Sequence, residues 1–482
     1  MAHSLRRPGK EPEGSFEHAA SGTEFTIYSN QDGLWQRMER DGTISDYHVD
    51  YVVGSGSHAS GYLVRIGDHL FQSPICFYTR LGRYDMAPGS EETRDPDFVR
   101  AVTLECLLCH SGQPLPIEDT LNEYRSPAFA RESISCDRCH GDPARHLQRP
   151  LPGSIVNPAK LPLAARNSVC EQCHLKGVAR VLNPSRRFQD FRPGEPLEQV
   201  FTIYTAALPP DTPREALKVI SQSEQLALSL CARQSKARLW CGTCHDPHAS
   251  AKQPSEYYRA RCLGCHQGKL SDSHPGGAKG DCVSCHMAKQ NAKDGGHSVF
   301  TDHRISRRPA PEGQPPELGE LAAWREPPSA LRGRNLALAY AQAGFENDSA
   351  SQIVRGYHML LEVQRSFPND PAVVNALAQA LLDARQPLEA AQLFERALQL
   401  GPDTATAEGN AGRAWMQAGQ IGKARDHLER AVKLDPLLLS AAVALVQVYR
   451  QEGDTGRVGE LGQRVRDALG PSAPQDASSA GP

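Results

Sequence analysis

The sequence predicts a multidomain chain: a small β-rich N-terminal part, a middle of irregular and α-helical segments organised by something other than its own side chains, and an all-α C-terminal solenoid. Three observations predict this. Between Gly14 and Thr79, apolar and polar residues alternate between Gly/Asp turn signals, the period-2 signature of half-buried strands. Between residues 106 and 286 one pentapeptide, Cys-x-x-Cys-His, occurs six times. Beyond a Pro-rich stretch, a 34-residue period marks stacked helix pairs.

The β-rich part is expected over residues 1–100, in segments such as TEFTIYSNQDGLWQRME, DYHVDYVVGSG and GYLVRIGDHLFQSPICFYT. The middle, residues 101–303, is broken by Pro, Gly and polar loops, with short helical patches such as PREALKV and SEQLALSLCARQS. Residues 304–330 carry six prolines between Pro309 and Pro328, the composition of a stiff linker. Repeats are expected over 331–470, and the tail 471–482 (PSAPQDASSAGP) reads as disordered.

The six pentapeptides are Cys106-Cys109-His110, Cys136-Cys139-His140, Cys170-Cys173-His174, Cys241-Cys244-His245, Cys262-Cys265-His266 and Cys282-Cys285-His286, naming only the fixed residues. At this chain's Cys and His content, chance gives roughly 0.015 copies, so six are not accidental. Cys at i and i+3 share one face of a helical turn, where both thiols can bond the vinyl groups of one macrocycle. The histidine that follows then lies beneath the iron as proximal ligand, so the spacing points to covalent haem c, six in this chain. The rival reading is zinc or disulfides, since paired CxxC knuckles hold zinc tetrahedrally. Zinc knuckles do not require His directly after the second Cys, and all six copies have it.

Composition agrees with a cofactor-built middle. The chain has 482 residues, 39% hydrophobic and only 6% aromatic, thin for a large side-chain core. Its formal charge is −3, with no basic pattern suited to nucleic acid. No stretch reaches the roughly 18 apolar residues that a membrane-spanning helix needs. Cytochromes c are assembled outside the cytoplasm, so a periplasmic or otherwise extracytoplasmic location is expected. The opening MAHSLRRPGKEPEGSFEHAA lacks the apolar core of a secretion signal, which predicts that the signal has been lost by N-terminal truncation.

In the C-terminal part, Pro368, Pro402 and Pro436 are evenly spaced, as are Ala390 and Ala424, Phe394 and Leu428, and Ala397 and Ala431. Small residues (Ala378, Gly412) precede large ones (Leu381, Trp415), as close helix pairs require. This is the arithmetic of about four tetratricopeptide repeats, with an insertion in the first near Glu346–Gln352.

Twelve further histidines can be weighed as the second ligand of each iron. His248, in CHDPH, is too close to turn onto its own iron but suits a neighbour's; His146, in CHGDPARH, follows the same logic. His297 and His303 follow the last pentapeptide as a pair, and His58 sits in the glycine-rich loop GSGSHASGY, where backbone can approach a flat ligand. His18 and His274 complete the candidate set. His48 and His69 lie in strand-like segments, and His358 and His427 in the repeats, where structural roles are expected. Met287 reads as packing, and Cys76 and Cys231 as buried free thiols.

The strings SFEHAASG, DYVVGSGSHASGYL, CLLCH, CDRCHGDPARH, SEQLALSLC, LWCGTCHDPHAS, RCLGCH, DCVSCHMAK and GHSVFTDHRISRRP, with the repeats, resemble multihaem cytochromes c fused to tetratricopeptide repeats. Their haem portion is similar to paired-CxxCH and hydroxylamine-oxidation-type electron-acceptor cytochromes. The resemblance implies a further CxxCH and a secretion signal upstream, hence an internal start methionine here and a seventh haem. It implies electron relay between redox partners, with the repeats as a docking surface. The alternative it leaves open is an oxidoreductase with one open-site haem acting on a small nitrogen or sulfur compound such as nitrite or hydroxylamine. No CxxCK and no evident catalytic Tyr-His set supports the enzyme, so electron transfer is the favoured expectation.

Overall fold

The computed structural model describes residues 4–206, 217–236, 238–249, 251–266, 280–306 and 319–469. His274 and the tail 471–482 lie outside the described residues.

The N-terminal part is an antiparallel sheet whose main path runs through strands Gly14–His18, Thr23–Asn30, Gly33–Arg40, Thr43–Val53, Ala59–Ile66, His69–Tyr78 and Arg83–Met86. Leu5–Arg6 pairs with Thr43–Val53, and Arg100–Ala101 with His69–Tyr78. The meander follows from the turn chemistry. Asp41 and Gly42 join Arg40 to Thr43 with φ of 50° and 76°, the doubly left-handed turn that matches strand twist. The alternation sends Phe25, Ile27, Val49, Val64, Phe71 and Ile75 into one buried cluster.

The opposite face buries Leu5, Tyr51, Leu63 and Leu70 together with Val102, Leu107, Tyr124 and Phe129. The last four come from beyond residue 100. The first pentapeptide helix, Leu104–His110, docks on the sheet through Leu107, and the hairpin Gln113–Pro116/Tyr124–Arg131 is tied to it by Tyr124 N–H to the Asp68 carbonyl at 2.8 Å. The boundary expected at residue 100 is therefore not a break in packing; the sheet's core continues to Phe129.

Part of the expected linker is also structured. Residues 307–318 lie outside the described residues, but Leu321–Ala323 forms a strand on Phe201–Ala206, which in turn pairs with Ala179–Leu182. Trp324 donates from Nε1 to Glu171 at 3.1 Å, and Arg325 Nη1 lies 2.6 Å from the same carboxylate. Apolar residues at 321–324 outweigh the prolines around them, because burying Leu321 and partly covering the Trp324 indole removes apolar surface from water.

Eight helices follow: Arg332–Glu346, Ala350–Gln364, Pro371–Asp383, Pro387–Leu400, Ala405–Gln417, Ile421–Leu434, Leu439–Glu452 and Thr455–Leu469. They form four antiparallel-type pairs around Ala378, Phe394, Ala411, Trp415, Leu428, Leu445 and Val448, all buried. Gly412 is required there, since a Cβ would lie 2.6 Å from Leu428 Cγ. Asp370 caps its helix from the N-cap position and also pairs with buried Arg334 at 2.7 Å, which donates to the Leu182 carbonyl and so links the repeats to the middle sheet.

Candidate haem-binding site

Every CxxCH lies on a helical turn, which puts its two thiols on one face. The helices are Leu104–His110, Asp137–His140 preceded by Cys136, Leu163–His174, Cys241–Cys244, Pro254–His266 and Cys282–His286. In the first and third, the two residues between the cysteines are buried (Leu107 and Leu108; Glu171 and Gln172) while the cysteines and histidine stay less covered. Gly141, with φ of 71°, stops the second helix directly after His140.

The six turns form one continuous group. The Cys109 thiol neighbours that of Cys173, Cys170 neighbours Cys241, and Cys262 neighbours Cys282. The first pentapeptide therefore abuts the third, the third the fourth, and the fifth the sixth. Cys244 lies within electrostatic reach of Cys265, and Cys139 of both Cys170 and Cys173. The Cys109 thiol is lowered, to about 7, by the neighbouring Cys173 and, against burial, by Arg180 and Arg138 beside it. No two cysteines are joined as a disulfide, and Cys76, fully buried, is pushed up to about 12 by that burial, as an inert core thiol should be.

Two pairs of imidazoles come close to each other beside these turns. The His140 and His248 rings lie 5.9 Å apart at 22°, and the His245 and His303 rings 6.1 Å apart at 31°. Two imidazoles on opposite sides of one metal, each bound at about 2.0–2.1 Å, have centroids roughly 6.3–6.5 Å apart once ring radii are added. Both pairs fall within about half an ångström of that separation.

The tautomers agree. His140 Nδ1 lies 2.7 Å from the Val156 carbonyl, His303 Nδ1 2.9 Å from that of Thr301, and His286 Nδ1 3.0 Å from that of Ser306. A carbonyl only accepts, so each Nδ1 carries the proton and each Nε2 keeps its lone pair, the arrangement of a metal-ligating histidine. Burial pushes the imidazoles of His110, His245 and His303 down, which favours the neutral form that can ligate.

The other candidates divide. His146 Nδ1 bonds Ser154 Oγ at 2.8 Å, and His58, lowered by burial and by Lys289, bonds the Val299 backbone and rests 4.7 Å from the Phe300 ring. His297 turns to the sheet, with Nε2 3.4 Å from Asp85 and its ring edge-on to Tyr78. His18 closes the strand Gly14–His18 of the N-terminal sheet. Its Nε2 donates to the Glu91 carbonyl at 2.9 Å and its Nδ1 faces Ser21 Oγ at 2.8 Å, so both ring nitrogens are engaged within the N-terminal sheet. The partner of the His18 ring, Glu91, lies 73 residues away in sequence.

Two structural features test the fit of a large apolar cofactor. Across the described residues of 217–306, which hold three of the six pentapeptides, only Leu217 and Ala292 are buried hydrophobics, and the 13-residue helix Pro254–His266 has no buried residue. A helix of that length ordinarily relies on one packed face for stability. Among the described residues, moreover, no three ligand atoms from the pentapeptides lie within 4.8 Å of one another, so the structure gathers no zinc-type set from them.

Comparison with known proteins bears on the C-terminal part. The tetratricopeptide-repeat family profile matches residues 381–449. Among solved structures, "MamA MSR-1 C2" is 18% identical with a TM-score of 0.26, covering 29% of this chain and 76% of that one. MamA 41-end from Desulfovibrio magneticus RS-1 is 21% identical with a TM-score of 0.26, covering 29% of this chain and 78% of that one. No curated protein matches the chain. No helix among the described residues is long and apolar enough to cross a membrane. The chain thus carries tetratricopeptide repeats, a protein-interaction module, behind a β-rich N-terminal part and a cysteine- and histidine-rich middle.

Proposed function

We propose that the chain is a multihaem c-type cytochrome that relays single electrons between extracytoplasmic redox partners, with the repeats serving as the docking module. The observation that carries this reading is the approach of His140 to His248 and of His245 to His303, at separations at which both rings of a pair could ligate one iron, each beside a helical CxxCH. Haem c, when bound, supplies a one-electron ferric/ferrous couple.

The chain's own residues set the conditions. Cys136 and Cys139 would hold one macrocycle, with His140 and His248 as its two ligands; Cys241 and Cys244 would hold another, with His245 and His303. The Val156 and Thr301 carbonyls fix the imidazole tautomers and make the ligating nitrogens better donors. Gln225, which accepts the His303 backbone N–H at 2.8 Å, anchors the loop that presents that ring. The contacts of Cys109 with Cys173, Cys170 with Cys241 and Cys262 with Cys282 support close spacing of the cofactors, which short-range electron transfer needs.

Two imidazoles per iron favour relay over catalysis, because they leave no coordination position for a substrate. Electron paramagnetic resonance of the oxidised protein and carbon monoxide difference spectra of the reduced protein test this. Uniformly low-spin centres that ignore carbon monoxide are expected. A high-spin, carbon-monoxide-binding centre would instead favour the small-molecule oxidoreductase.

A further inference from the structure

A second cluster of metal-ligating groups stands apart from every CxxCH, at the seam between the N-terminal sheet and the repeats. His69 opens the strand His69–Tyr78 and bridges in antiparallel fashion to Glu123, while Asp435 ends the helix Ile421–Leu434, 366 residues away in sequence. His69 Nε2 lies 3.0 Å from Asp435 Oδ1 and 3.5 Å from Glu123 Oε1, and one ligand atom from each residue falls within 4.8 Å of the others. His69 and Asp435 are buried and Glu123 is half-buried.

From this we propose that His69, Glu123 and Asp435 bind a divalent transition-metal ion, of the zinc class, that clamps the sheet to the repeats.

His69 Nε2 can carry one hydrogen, and it points at one carboxylate oxygen at a time, yet two carboxylates converge on it. With a neutral imidazole the pocket holds two negative charges, and with a protonated one it still holds a net negative charge. Burial raises the Glu123 carboxyl; Asp435 and Asp68 push the same way, and His69 opposes them. Asp68 is itself paired with Arg65 at 2.8 Å, so that cation is already engaged.

A divalent ion satisfies all three groups at once. Ligands bound at about 2.0–2.2 Å around a tetrahedral ion lie roughly 3.3–3.5 Å apart, close to the two separations from Nε2. One imidazole and two carboxylates, with a fourth position left for water, suit zinc or manganese better than the thiolate-seeking ions. The Leu437 N–H, donating to Asp435 Oδ1 at 2.8 Å, orients that carboxylate as an outer-shell partner would.

The test compares the full chain with His69→Ala and Asp435→Asn by inductively coupled plasma mass spectrometry after equilibration with limiting zinc, and by thermal melts with and without zinc. Because the CxxCH thiols can also take up zinc, the readout is the difference between proteins. Wild type is expected to hold one equivalent more than either variant, and zinc is expected to raise its melting temperature by more than theirs. Glu123→Gln, at the half-buried corner, guards against misfolding and should weaken zinc binding at least about tenfold. Equal zinc content across all four proteins, or an equal zinc-induced shift in melting temperature, would overturn the proposal and leave a histidine–carboxylate hydrogen-bonded clamp.

Discussion

The repeat helices run 13–15 residues and the pentapeptide helices 4–13, and the two sets are stabilised in different ways. In the repeats, Ala411, Trp415, Leu428, Leu445 and Val448 interlock in one buried cluster, and each large side chain contributes about 1.5–3 kcal/mol by leaving water. In the described residues of 217–306 the only buried hydrophobics are Leu217 and Ala292, and the cysteines and histidines are the residues that converge. The contrast teaches that a periodic apolar pattern is a folding instruction complete in itself, whereas a CxxCH array is an instruction that needs a second component. If that is right, the two regions must respond oppositely to cofactor loss and to core mutation.

The largest expected effect is on cofactor loss. Chain produced without cytochrome c maturation should be cut by protease throughout 217–306 while 332–469 survives, as read by mass spectrometry of the fragments. Equal protection of both regions would erase the distinction. Core truncation should do the reverse. Trp415→Ala or Leu428→Ala should destabilise the repeats by about 2–5 kcal/mol in denaturant melts followed by circular dichroism, with haem content by absorbance unchanged.

A smaller effect is expected from Gly412→Ala, whose methyl would meet Leu428; overpacking there should cost about 1–3 kcal/mol by the same melt. On the haem side, His248→Ala should convert one centre from low to high spin without loss of covalent haem, because thioethers, not the distal ligand, hold the macrocycle. The smallest effect concerns pH. Burial tends to raise the Glu408 carboxyl, but hydrogen bonds to His427 and Arg430 outweigh it and hold the group below its usual value. A depressed carboxylate stabilises above its unfolded value of about 4.3 and loses that contribution as pH falls through its folded value. The repeats should therefore weaken on acidification below about pH 4.5, and Glu408→Gln should flatten that slope in pH-dependent melts.

Much of this architecture was legible in the sequence because its signals are local. The cysteine spacing announces helical turns, and the prolines at 368, 402 and 436 announce the repeat period. What was not legible depends on distant partners. Tyr124 and Phe129 complete the sheet's second face, extending its packing past residue 100, since an apolar hairpin does not declare which surface it covers. Leu321–Ala323 is a strand despite its proline-rich flanks, because its partner, Phe201–Ala206, lies more than a hundred residues away. Distal histidines are the sharpest case. The glycine-rich loop singled out His58 over His18, but that the Glu91 carbonyl engages His18 and Phe300 backs His58 depends on distant partners. The pairing of His140 with His248 is likewise set by tertiary approach and not by spacing.

The most direct measurement is the intact mass, with the visible spectrum, of the chain carrying an appended export signal and matured in a host that attaches haem c. The account predicts a mass equal to the polypeptide plus six haems and a reduced spectrum of low-spin cytochrome c. A colourless product with the mass of bare polypeptide, matured alongside a control cytochrome that does acquire its haem, would contradict it.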